Sequence, residues 1–240
     1  MPFTFSHPAA VLPLARSAYA SVSASALVVG SMIPDFEYFL KMKLSGRFSH
    51  TLPGAFVFCL PAAFVVLVIF HVLVKRPLIN SLPSMFYARL TTLRDFNWIA
   101  SFRKHPLSYT GCILVGIFSH LLWDSFTHAN HYMVEHLPWL SYPVHLTGLP
   151  AWPVFRYLQH ISTAVGGFYV GYYFYKLPAA KANNAVNYRF LVPVFFLTLA
   201  AYAVRSLFGF EYTGDLVVSV ISALFLALTI VGVVFTCFRL

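Results

Sequence analysis

The sequence predicts an all-α integral membrane protein, with about five transmembrane helices and an N-terminal helix packed on the bundle. The first observation is compositional, since 59% of the 240 residues are hydrophobic and only 10% are charged. A soluble domain of this size needs a charged exterior and cannot bury so much apolar surface. The second observation is a series of apolar stretches close to the roughly 20 residues that a helix needs to cross a bilayer. Lipid is therefore the expected solvent for much of the chain.

Five stretches are predicted as membrane spans: residues 54–74, 108–123, 157–175, 190–204 and 216–238. The second and fourth reach full length only by including Asp124 or Arg205. Residues 8–29 are also apolar, but they are rich in Ala and Ser and contain Arg16. That stretch is predicted to form an amphipathic or interior helix that does not cross independently.

Charged residues between the spans predict the orientation. Residues 75–106 contain six Lys or Arg residues against the single acid Asp95, so the positive-inside rule places them in the cytoplasm. Residues 30–53 and 128–156 then lie on the outer face of the plasma (inner) membrane. One group of basic residues is an exception, because it falls on the predicted outer side: Lys41, Lys43 and Arg47.

We expect one helical membrane domain over residues 1–180, followed by two C-terminal spans over residues 181–240. The net charge of +9 does not indicate a nucleic-acid partner, because the basic residues concentrate in loops beside the spans. The three cysteines are isolated in apolar segments, so neither a disulfide framework nor a thiolate zinc site is expected. The lipid bilayer is the one partner that composition predicts, and the oligomeric state stays open.

The most informative motif is Asp124 with a histidine four residues to either side, His120 and His128. Steps of four residues advance only about 40° around a helix, so the three side chains are predicted to share one face. A carboxylate within an apolar helix is costly unless it has a partner or a function. Imidazole and carboxylate ligands suit zinc or a similar divalent ion, which would remove that cost. The alternative is an Asp that is hydrogen-bonded to a neighbouring His without metal.

Further candidate ligands are distributed along the chain: His7, Asp35, His50 and His160. In the predicted topology Asp35 and His50 precede the first span on the outer side. Asp124 lies at the outer end of the second span. His160 lies at the start of the third span, on the same side. His7 joins them only if the N-terminal helix does not cross. The sequence therefore predicts a site for a divalent metal, with zinc as the expected ion.

At these residues the chain resembles a known family. The segments MPFTFSHPA, GSMIPDFEYF, FSHT and GIFSHLLWDSFTH look like the uncharacterised family named domain of unknown function 4184, over about residues 1–175. That family has no established activity. Its pattern is in turn similar to membrane-bound metal-dependent hydrolases and, more remotely, to the helical superfamily of zinc-dependent phospholipase C and single-strand-specific nucleases.

The remote similarity implies a set of ligands. One zinc ion would be held by four residues, with the last of them bridging to other ions: Asp35, His50, His120 and Asp124. His128 and His160 would match ligands of a second ion, and His7 a ligand of a third, which the amino terminus of the processed chain completes in the superfamily. The superfamily has a Glu at the position of Ala164. We therefore expect one well-formed site and a weaker second site. The third site is expected to lack its amine ligand, because the terminus is unprocessed.

The leading functional hypothesis is hydrolysis of a phosphoester, such as a phospholipid, at the outer membrane surface. One ion would lower the pKa of bound water and a second would hold a phosphoryl oxygen. The resemblance implies that Asp35 is the general base. The competing hypothesis is a metal-binding membrane protein without catalysis, either a transporter or a site that locks the bundle. Transporters place polar groups near the membrane midplane, whereas these ligands are predicted to gather at one interface.

Overall fold

The computed structural model describes residues 3–15, 23–145, 147–148 and 150–238. The α-helices are α1 (Leu12–Ala15), α2 (Ala24–Met32), α3 (Phe36–Lys41), α4 (Leu52–Ser81), α5 (Ser84–Asp95), α6 (Trp98–Lys104), α7 (Pro106–Thr127), α8 (Tyr132–His136), α9 (Val154–Tyr175), α10 (Tyr188–Ser206) and α11 (Thr213–Phe238). Helix α4 includes the π-helical segments Ala55–Cys59 and Ile69–Val74. The 3₁₀ turns are Thr4–Ala10, Ile33–Asp35, Phe48–His50 and Pro138–Ser141. Strands β1 (Pro143–Val144) and β2 (Trp152–Pro153) form one antiparallel pair with Pro143 opposite Pro153.

Among the described residues, four helices are long and apolar enough to cross a bilayer: α4, α7, α10 and α11. These helices leave large apolar side chains exposed, for example Val65 at 57% and Phe196 at 62%, as expected for surfaces that face lipid. The all-α membrane fold is thus confirmed, but the count of five spans is not. Helix α9 has the required 22 residues, but it is less apolar because its first two turns contain Arg156 and Gln159.

The chain forms two compact units, each built from separate stretches of sequence. The first contains residues 1–34, 50–63 and 105–175, and the second contains residues 35–49, 64–104 and 176–240. The predicted N-terminal helix over residues 8–29 is described in part, as α1 and α2 in the first unit. Arg16 lies outside the described residues.

In the first unit, helix α2 packs closely against helix α7 because glycines face each other at the crossing. A Cβ atom on Gly116 would lie 2.6 Å from the backbone oxygen of Leu27 and 2.6 Å from the backbone nitrogen of Ser31. A Cβ atom on Gly30 would likewise meet the backbone of Ile113. Small residues allow helix backbones to approach in this way in membranes, where van der Waals packing drives association. The crossing brings the end of α2 beside the middle of α7.

The N-terminal 3₁₀ turn is fixed against helix α9. The Ser6 hydroxyl donates a hydrogen bond to the carbonyl of Thr163 at 2.9 Å, and the Phe3 amide donates to the Thr163 hydroxyl at 3.0 Å. Gly166 leaves room for this turn, since a Cβ atom there would lie 2.9 Å from Ser6. As a result, Ser6 and His7 are buried at 6% and 4% exposure. The position of His7 is therefore set by the turn and not by a longer helix.

In the second unit, helices α10 and α11 pack against each other around Phe190, Val194, Ala227 and Val231. The buried carboxylate of Asp215 lies at the start of α11 and accepts hydrogen bonds from the backbone amides of Leu44, Glu211 and Tyr212. These bonds satisfy the carboxylate and tie the residues after α3 to the α10–α11 turn.

Glu37 has a structural role within the second unit. Its carboxylate accepts hydrogen bonds from the Lys41 ammonium at 2.7 Å and from the Ser49 amide at 2.9 Å. Burial alone would raise the pKa of Glu37, but the bonds from Lys41 and Ser49 outweigh it and lower that pKa. Glu37 thus holds the segment that precedes His50 in the sequence.

The glycine at the α2–α7 crossing gives a direct test of this packing. We expect Gly116→Ala to lower the free energy of unfolding by about 1–3 kcal/mol, because the added methyl group overpacks the crossing. The matched control is Gly111→Ala in the same helix, where a Cβ atom meets nothing within 4 Å. Thermal unfolding of both variants in detergent provides the measurement. Equal melting temperatures for the two variants would contradict the close approach of α2 and α7.

Candidate metal centre

Helix α7 positions the first two residues of the site. His120 and Asp124 are four residues apart, both are buried, and the His120 Nε2 atom lies 3.4 Å from the Asp124 Oδ2 atom. The predicted helical face is confirmed for this pair but is wrong for His128. The helix ends at Thr127, and His128 has an extended backbone with φ −128° and ψ 136°. Its ring nevertheless turns back, and its Nδ1 atom lies 3.6 Å from the Asp124 Oδ1 atom.

Two more imidazoles approach the same carboxylate from other parts of the first unit. His7, in the N-terminal 3₁₀ turn, places its Nε2 atom 3.6 Å from the Asp124 Oδ1 atom. His50, just before helix α4, places its Nε2 atom 3.6 Å from the Asp124 Oδ2 atom. The His7 ring also stacks on the His120 ring, with centroids 3.8 Å apart. The Asp124 carboxylate therefore has four imidazoles around it.

The nitrogen–oxygen distances in this cluster suit an ion better than direct hydrogen bonds. They range from 3.4 to 3.6 Å, whereas charge-assisted hydrogen bonds are about 2.7–2.9 Å long. Ligands about 2.0–2.2 Å from a tetrahedral zinc ion are about 3.3–3.6 Å from one another. His50, His120 and Asp124 each offer one ligand atom, and these three atoms lie within 4.8 Å of one another. The donor set and its spacing thus fit a divalent ion.

The tautomer of His120 gives a second argument. Its Nδ1 atom lies 2.8 Å from the carbonyl oxygen of Ser31. A carbonyl only accepts, so Nδ1 must carry the proton. In a neutral ring, Nε2 then presents a lone pair toward the Asp124 carboxylate. Two acceptors face each other at 3.4 Å, an arrangement that a second proton on the ring, a bridging water or a metal ion would stabilise. Metal-binding histidines are commonly oriented by such a bond to a backbone carbonyl.

The side chains of the cluster differ in their exposure to solvent. The side chains of His7, His120 and Asp124 are at most 2% exposed, whereas that of His50 is 7% exposed and that of His128 is 18% exposed. Burial lowers the pKa of His128 to about 4, against the opposing charge of Asp124, so its ring is neutral near pH 7. Within the described chain, the Oδ1 atom of Asp124 and the Nε2 atom of His128 are buried without a hydrogen-bond partner. Solvent or substrate would enter at His128.

Two other predicted ligands are Asp35 and His160. Asp35 belongs to the second unit and is fully buried. His160 is on an exposed part of helix α9, where its ring stacks on Trp152 with centroids 5.1 Å apart. The roles predicted for both residues remain predictions.

Sequence reasoning did not identify the carbonyl of Ser31 or the hydroxyl of Thr127, which lies 3.1 Å from the Nδ1 atom of His128. A backbone carbonyl leaves no side-chain signal in a sequence. The Thr127 hydroxyl could have been found only with the knowledge that the helix ends there.

Comparison with known proteins gives one result that identifies a family. No curated protein matches the chain. No solved structure matches it either. A family model described as Domain of unknown function (DUF4184) matches residues 1–233. This match extends past the expected residues 1–175 and includes helix α10 and most of helix α11. With nearly its whole length matched, the chain belongs to the DUF4184 family.

Proposed function

We propose that this protein is a membrane-embedded, metal-dependent hydrolase that acts on a phosphoester, with a phospholipid as the expected substrate. The observation that supports a metal is the buried Asp124 carboxylate with four imidazoles at 3.4–3.6 Å. Zinc is the expected ion, because imidazole and carboxylate ligands suit it. The substrate class follows the resemblance of the sequence motifs to metal-dependent hydrolases.

The partial access to the cluster favours catalysis over a structural role. Structural zinc sites are closed by four protein ligands, whereas catalytic sites keep a position open for water or substrate. His120 and Asp124 are buried, whereas the side chain of His128 is 18% exposed. A site that only locked the helices together would not need an accessible side.

The level of the cluster along helix α7 favours a surface enzyme over a transporter. Asp124 lies three residues before the end of the helix at Thr127, and the ends of a membrane-spanning helix lie near the bilayer surface. Transporter sites lie near the midplane. Exposed apolar side chains follow the site residues in the sequence, namely Leu52 at 67% and Tyr132 at 64% exposure. These side chains suit contact with lipid beside the site.

The residues of the site would have different roles in the reaction. His50, His120 and Asp124 would hold the ion, and the Ser31 carbonyl would keep His120 in the required tautomer. The bound ion would act as a Lewis acid and bring the pKa of water toward neutrality. His7 would bind beside His120 in the closed part of the site, and His128 would orient the phosphoryl group at the entrance. Asp35 is retained from the sequence as the proposed general base.

Metal content tests the first part of this proposal. We expect purified protein to retain a divalent transition metal and Asp124→Asn to lose it, because the amide keeps the shape of the side chain but removes its charge. Mass spectrometry of dissolved metals gives the ratio of metal to protein. Asp95→Asn is the matched control, since Asp95 is an exposed acid paired with Arg94. Equal metal content in both variants, or none in the wild type after growth with zinc, would contradict the site.

Hydrolysis tests the second part. Metal-loaded protein in mixed micelles is expected to cleave a generic phosphodiester or a fluorogenic phospholipid. We expect Asp124→Asn and His50→Ala to reduce turnover by at least ~100-fold, because direct ligands matter more than the outer partners that cost 10–100-fold. Asp95→Asn should keep wild-type turnover. Metal-loaded protein that cleaves no phosphoester would instead indicate a metal-binding membrane protein without catalysis.

A further inference from the structure

The second unit contains a cavity of about 390 Å³ with a strongly basic lining. Its charged lining residues are Lys41, Lys43, Arg205 and Glu211, which meet the rings of Phe208 and Phe210. Three cations against one acid give this lining a formal charge of +2. None of these residues belongs to the metal centre, so the cavity requires a separate explanation.

Local ion pairs compensate two of the three cations and leave the guanidinium of Arg205. Lys43 pairs with Glu211 at 2.5 Å, and Lys41 pairs with Glu37 at 2.7 Å. Arg205 donates hydrogen bonds to the carbonyls of Met42 and Gly209, at 3.0 and 2.6 Å. Carbonyl groups are neutral, so these bonds fix the guanidinium in place without compensating its charge. Its carbon atom also lies 4.8 Å from the centre of the Phe210 ring, which further orients it.

The cavity lies at the turn between two candidate membrane spans. Arg205 is one residue from the end of helix α10, and Glu211 is two residues before the start of helix α11. Gly209, with φ +71°, allows the short turn between these two candidate spans. The turn also exposes Leu207 at 82% and Phe208 at 80%. Basic pockets at such positions suit acidic lipid head groups, with apolar side chains in contact with the acyl chains.

We propose that this cavity binds the phosphate of an anionic phospholipid head group. Arg205 supplies a preorganised guanidinium, which matches a phosphate through paired N–H groups. Lys41, which is paired with Glu37, adds a second group of N–H donors from a side chain that is 49% exposed. The site includes Lys41 and Lys43, two of the three basic residues that break the positive-inside pattern, and each of them is paired with an acid.

Lipid retention tests this proposal with variants that change the charge in both directions. Protein in micelles containing equal amounts of phosphatidylglycerol and phosphatidylcholine is examined by native mass spectrometry. The wild type is expected to retain phosphatidylglycerol preferentially. Arg205→Gln and Lys41→Gln should each reduce that preference roughly five-fold, the effect of one basic residue near an acidic lipid. Glu211→Gln should increase it, because an acid in the lining loses its charge.

Three comparisons determine which results would overturn the proposal. Lys181→Gln removes one positive charge from an exposed loop position of the same unit and should leave the preference unchanged. Lys41→Gln and Glu211→Gln change accessible side chains, so their opposite effects test the site even if Arg205→Gln fails to fold. Equal retention by Lys41→Gln, Glu211→Gln and Lys181→Gln would overturn the proposal. Binding of inorganic phosphate alone in lipid-free detergent, with the same order among variants, would overturn the assignment to lipid.

Discussion

The buried carboxylate of Asp124 is the constraint on which the architecture of the first unit depends. An ionised group in an apolar helix requires opposite charge or several donors nearby, and within helix α7 His120 supplies one such group. The other imidazoles come from the N-terminal turn, from the 3₁₀ turn before helix α4 and from the residue that follows helix α7. Helix α2 contributes through the Ser31 carbonyl. Helices α2 and α7, which pack through small residues, therefore also supply groups that position the imidazole beside Asp124.

The fold was largely predictable because lipid imposes a simple rule on the sequence. Runs of about 20 apolar residues must be helical, since the backbone finds no other hydrogen-bond partners in hydrocarbon. Helices α4 and α11 follow directly from this rule. Helix α9 shows its limit, because it has the length of a span but polar residues in its first turns make it less apolar than the four candidate spans. The structure of the N-terminal segment was harder to predict, because its 3₁₀ turn is fixed by hydrogen bonds to helix α9, which is distant in the sequence.

The candidate site was predictable to a different degree for each residue. His120 and Asp124 followed from helical periodicity, which is a local property. His128 was expected on the same face, but the helix ends before it, and only its ring orientation returns it to the site. The approach of His7 and His50 depends on tertiary packing that periodicity does not encode. The expected ligand role of His160 rested on its place at the start of a predicted span and on the resemblance, and in the structure its ring stacks on Trp152.

X-ray absorption spectroscopy at the zinc edge of the purified wild-type protein tests the central claim most directly, because it reports the atoms around the ion. The account predicts a shell of nitrogen and oxygen neighbours at about 2.0–2.2 Å, with the outer-shell scattering typical of imidazole rings. A shell dominated by sulfur at about 2.3 Å, or by water oxygens without imidazole scattering, would contradict it.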